Sequence, residues 1–128
     1  MIEQFEMVAK AVGDTNRARI LKMLEPRELC VCQITAVLGL APATVSKHLS
    51  VLRMAGLVRQ RKAGRWIHYR LADQAMNPYA LPVLEVMRQT LGDDSAVSDD
   101  RTRLVEVLRT PLETLCAPAA AKRGDNAP

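Results

Sequence analysis

Two amphipathic runs meet at the break Gly39-Leu40-Ala41-Pro42, and an alternating segment folded about Ala63-Gly64 follows them. That succession constrains the fold more than any other feature of the chain. In the first run, from about Cys30 to Leu38, Val31, Ile34 and Leu38 recur at helical spacing. Gly39 suits a positive φ and Pro42 suits a first helical turn, so "GLAP" predicts a tight joint between two helices. The second run, "ATVSKHLSVLRMAG", places Val45, Leu49 and Leu52 on one stripe and ends at Gly56. "LVRQRKAGRWIHYRL" then sets Ile67, Tyr69 and Leu71 against Trp66, His68 and Arg70, the period of two expected of a hairpin.

Helices are expected on both sides. Residues 2–12 carry Phe5, Val8, Ala9 and Val12 at helical spacing. Asp14 or Thr15 can cap a helix bearing Ala18, Ile20, Leu21 and Leu24, stopped by Pro26. After the hairpin, "NPYALPVLEVMRQTLG" has Leu81, Leu84, Met87 and Leu91 on a stripe. "GDDSAVSDD" reads as a polar break before a last helix, roughly Asp99 to Leu115, which Pro111 should kink or weaken. The order predicts a mainly α fold with a small β-hairpin: a winged helix-turn-helix flanked by N- and C-terminal helices. The expected divisions are 1–92 for DNA binding and dimerisation, 93–116 for a helical extension, and 117–128 for a disordered tail.

Charge points to a partner. Residues 29–72 hold seven basic side chains and no acid, whereas the rest holds eleven basic and fourteen acidic residues. Such a local positive field attracts a phosphate backbone. With Val45, Leu49 and Leu52 facing inward, Lys47 and Ser50 point outward and Thr44 and Ser46 lie on the shoulders, because each helical residue advances about 100°. These types can bond bases or phosphates in a major groove. Thr44 could equally serve only the helix start, and Ser46 its own backbone. His48 lies nearer the buried stripe, where packing competes with base contact. Arg61, Lys62 and Arg65 flank the hairpin tip, where a basic wing would meet the DNA backbone; Trp66 reads as a packing residue.

The chain has three cysteines, Cys30, Cys32 and Cys116, and its N-terminus lacks the apolar block of a secretory signal. An odd count in that context suggests reduced thiols, a cytoplasmic location and no disulfide scaffold. No apolar run is long enough for a transmembrane helix, so no membrane partner is expected. The absence of C-x-x-C, of an anion-binding loop and of a histidine near the thiols argues against an enzyme.

"ELCVCQITAVLGLAPATVSKHLSVLRMAGLVRQRKAGRWIHYRL" (28–71), with "DTNRARILKML" (14–24), closely resembles the ArsR/SmtB family of metalloregulators, and within it the arsenical-resistance operon repressors. The similarity covers about residues 5–90. It implies a homodimer, joined through the first helix and the helix after the wing, bound to an imperfect inverted repeat of operator DNA. It implies release from DNA when As(III) or Sb(III) binds cysteine thiolates, with no organic cofactor. In the repressors that the chain resembles, a third cysteine follows the CVC by three residues. Thr35 stands there in this chain, which leaves Cys116 as the candidate third ligand beside Cys30 and Cys32. A two-thiolate site with Cys116 as a packing residue is the alternative. The family's Asp, His and Glu zinc site finds no histidine on the helix after the wing.

Thiolates suit soft, thiophilic ions. On a regular helix, however, Cys30 and Cys32 would point about 200° apart. Chelation therefore requires the first turn to be non-helical, and distortion there would reach the reading helix through "GLAP". A thiol-redox-sensing repressor of the same fold is the rival reading, with a Cys116 pairing as its signal.

Overall fold

The computed structural model describes residues 1–74 and 76–116. The expectation for the tail at 117–128 lies outside the described residues. The chain forms α1 (Ile2–Val12), α2 (Thr15–Met23), β1 (Leu29–Cys30), α3 (Val31–Leu38), α4 (Pro42–Met54), β2 (Val58–Ala63), β3 (Trp66–Leu71), α5 (Ala80–Arg88) and α6 (Ser95–Arg109). Among the described residues no single helix is long and apolar enough to cross a membrane.

The helix-turn-helix forms for the reasons its sequence gives. Gly39 closes α3 in the left-handed region (φ 69°), Pro42 opens α4, and the two helices bend by 115° across the three residues between them. Val45, Leu49 and Leu52 of α4 are fully buried with Ile20, Leu21 and Ile34. On α3 the buried stripe is Ile34, Val37 and Leu38, while Val31 is only half-buried. The reason is a shorter helix than expected. Cys30 belongs to the strand before α3 and takes the buried place at its start.

The wing is a β2–β3 antiparallel hairpin turned at Gly64 (φ 64°), with Tyr69 buried. Instead of a two-stranded hairpin the sheet has three strands in the order β1-β3-β2, because Leu29 pairs with Tyr69 and Cys30 with His68.

The C-terminal part departs most from expectation. The stretch read as a polar break is the first part of α6: Asp94 caps it by accepting from the Ala96 and Val97 amides (2.9 and 3.2 Å). Asp100, only 3% exposed, faces α2 and accepts two 2.8 Å bonds from Arg19. Pro111 ends the helix rather than kinking it, and a helical turn at 112–116 carries Cys116. α6 packs on α3 and α2, adding Leu104 and Val107 to the core. At the end of the preceding helix, Leu91 is exposed with φ 66°, outside the expected stripe.

Candidate functional site

The thiols come together at the start of α3. Cys30 is extended (φ −74°, ψ 149°), so the two cysteines of "CVC" straddle a strand-to-helix junction and escape the helical divergence. The junction is held by a reciprocal cap. The Cys30 amide donates to Gln33 Oε1 at 2.8 Å, and the Cys30 sulfur accepts from the Gln33 amide. Cys116 arrives from the C-terminal segment of the same chain. The three sulfurs lie within 4.8 Å of one another, with Cys30 fully buried and the other two half-buried.

Cys32 and Cys116 are joined in a disulfide, with Cα atoms 5.6 Å apart, and Cys30 is free. The bond departs from the expectation of reduced thiols and is a Cys116 pairing of the kind the rival redox reading expects. Reduced, the trio can hold one soft ion. Metal–thiolate bonds run about 2.3 Å, so sulfurs on one ion sit roughly 3.5–4 Å apart, within reach of small side-chain rotations. Thr35 takes no part, because its hydroxyl donates to the Val31 carbonyl at 2.8 Å. Gln33 was not singled out from the sequence; its position three residues after the cap was the available signal.

The second surface is basic. Thr44, Ser46 and Lys47 are exposed on α4, while Ser50 and His48 are half-buried. His48 Nδ1 accepts from Arg17 Nη1 (3.3 Å), and Arg17 is itself fixed by the Ala11 and Lys10 carbonyls at 2.8 and 3.0 Å. The histidine therefore helps tie α4 to the α1–α2 joint, a role that spacing alone did not reveal.

On the wing the basic side chains divide into two groups. Arg61 is clamped by Glu28 through contacts of 2.7, 2.9 and 3.1 Å. That bonding, with the guanidinium charge beside it, holds the Glu28 carboxyl below its ordinary range and pushes Arg61 upward. Asp73 lies 3.1 Å from Arg70 and 3.9 Å from Arg59. The acids bordering the acid-free segment thus turn back onto it. Lys47, Lys62 and Arg65 have no acidic partner among the described residues. The Arg65 guanidinium instead lies 5.1 Å from the centre of the Trp66 ring.

A winged helix-turn-helix with an exposed, hydroxyl-bearing second helix and a basic hairpin defines a class of DNA-binding regulators. Residues 14–60 match the family described as bacterial regulatory protein, arsR family. The chain is 34% identical over 108 residues to the arsenic resistance transcriptional regulator ArsR1 of Pseudomonas putida, covering 82% of this chain and 80% of that one. It is 42% identical over 64 residues to the arsenical resistance operon repressor of Escherichia coli, covering 49% and 55%. Among solved structures, the homodimeric winged helix-turn-helix DNA-binding domain of a possible ArsR-family regulator from Mycobacterium bovis superposes with a TM-score of 0.58 at 30% identity, covering 69% and 82%. The chain belongs to the ArsR family of bacterial transcriptional regulators.

Proposed function

We propose that this protein is a homodimeric repressor that binds operator DNA and leaves it when trivalent arsenic or antimony is captured by Cys30, Cys32 and Cys116. The observation that carries this reading is the meeting of all three sulfurs within 4.8 Å, two from the α3 junction and one from the C-terminal segment. Condensation of arsenous acid with three thiols forms three arsenic–sulfur bonds and releases three waters. The names of the Pseudomonas putida and Escherichia coli relatives support the choice of effector.

On DNA, α4 would enter the major groove with Thr44, Ser46, Lys47 and Ser50, while Lys62 and Arg65 lie along the backbone. Arg61 would contribute after Glu28 releases it, and His48 mainly by positioning α4. Dimerisation would cover an apolar face on α1 and α5, where Ile2, Phe5 and Val86 are 71%, 49% and 63% exposed. Phe5 already packs edge-on against Tyr79 at 5.4 Å.

The deciding experiment titrates arsenite into reduced protein on operator DNA, for the wild type and each Cys→Ser variant. Wild type should release DNA, and each variant should need more arsenite. Unchanged operator affinity in the wild type would sink the reading. A Cys116→Ser variant with full response would reduce the site to two thiolates.

The Cys32–Cys116 disulfide favours a second reading, a thiol-redox sensor of the same fold. A hydroperoxide would take two electrons and two protons from the pair, giving disulfide, water and an alcohol. Comparing DNA release by peroxide and by arsenite separates the two.

A further inference from the structure

We propose that Arg103 is the positioning residue that couples the thiol site to the helix-turn-helix joint. The inference rests on the reading above that the thiols form the effector site. α3 has eight residues and is therefore about 12 Å long. The C-terminal part of the chain grips it at both ends: Cys116 meets its first turn, and Arg103 of α6 meets its last.

Arg103 Nη1 donates to the Val37 carbonyl at 3.1 Å. That carbonyl is one of the last four of α3, which no later helical amide can reach, and a cation there also complements the helix dipole. Two residues further on, Gly39 starts the joint that aims α4. The guanidinium is steadied from behind. Its Nη1 lies 3.5 Å from Asp100 Oδ1, and Asp100 is fixed by the two 2.8 Å bonds from Arg19 of α2.

The core does not need this contact. Arg103 is half-exposed, and α6 is already anchored by Val97, Leu104 and Val107. What Arg103 adds is a direct link between α6 and the carbonyl just ahead of the joint. An ion that engages Cys116 fixes the position of the C-terminal segment against the first turn of α3. Any resulting shift of α6 reaches the carbonyl ahead of the joint directly through Arg103, so without that side chain only the apolar packing of α6 on α3 is left to carry it.

The test uses reduced full-length protein, with Arg103→Met and Arg103→Lys beside the wild type. Affinity for an operator duplex, chosen by selection from random sequences, is measured by fluorescence anisotropy with and without arsenite. Arsenite binding to DNA-free protein is followed by sulfur-to-arsenic ultraviolet absorbance. Arg103→Met should match the wild type within about threefold in DNA affinity without arsenite and in arsenite affinity without DNA. Its arsenite-induced fall in DNA affinity should be smaller by roughly two- to thirtyfold. Arg103→Lys, which keeps a donor and a charge, should restore most of the fall.

An undiminished fall in Arg103→Met overturns the inference. Loss of arsenite affinity in that variant overturns it too, since Arg103 would then only prop the site. A wild type indifferent to arsenite removes the effector reading itself and the inference with it.

Discussion

Cys32 and Cys116 lie 84 residues apart in the chain, yet their Cα atoms are 5.6 Å apart. The third sulfur, which the family resemblance would put on α3 at the position of Thr35, comes here from the segment that follows α6. Thr35, in the usual place, has turned its hydroxyl into its own helix.

Removing the delivered ligand should weaken capture without weakening repression. Cys116→Ser is expected to lower arsenite affinity at least tenfold, by analogy with the 10- to 100-fold effects of lesser changes around metal ligands. Operator affinity of the reduced, arsenite-free protein should stay within about twofold. Isothermal titration of arsenite and a DNA-binding isotherm check the two halves separately.

The Glu28–Arg61 pair should restrain DNA binding. Glu28→Gln frees the guanidinium and removes a negative charge from the wing, so operator affinity should rise and the slope of log K against log salt should steepen by about one. Lys62→Ala should do the reverse, with a slope shallower by about one. A salt series of anisotropy titrations reads both.

The same pair sets a pH dependence of the wing. The Glu28 carboxyl titrates below its ordinary value because Arg61 bonds its charged form. Its contribution is therefore complete above the ordinary glutamate range of about 4.3 and fades as pH falls through the depressed value. Protection factors for amide exchange in β2, which remove the intrinsic pH dependence of exchange, should fall over that low window in the wild type more than in Glu28→Gln.

Gly39→Ala should cost about 1–2 kcal/mol, because a Cβ at φ 69° is strained even though nothing lies within 4 Å of it. Urea denaturation measures this. Arsenite-free operator affinity should fall as well, since the same residue sets the direction of α4.

Phe5→Glu should separate the proposed dimer. The charge would sit in the apolar face of α1 that α5 extends, and sedimentation velocity would register monomers at micromolar concentration. Thermal unfolding should then lose its dependence on protein concentration.

The α4 stripe of Val45, Leu49 and Leu52 was legible because one helix face meets one core. The place of Cys30 was not. β1 is two residues long and exists through its pairing with Tyr69 and His68, which no local pattern encodes. The start of α6 was hidden for a related reason. "SAVSDD" has the composition of a break, but Asp100 meets its arginine 81 positions earlier in the chain. Likewise the acid-free run announced a basic surface, while the return of Glu28 onto Arg61 depends on strand register. The three cysteines were expected to come together; what was not legible was the route, which depends on α6 lying along α3.

All three sulfurs belong to a single chain. On the proposed reading, each half of a dimer would be a complete detector, and neither would wait for the other to finish its coordination sphere. A half-loaded dimer would then be a real species, with one reading helix disturbed and the other still aligned. Such a switch would have an intermediate setting, so transcription from its promoter would rise gradually with dose instead of turning on at one sharp threshold.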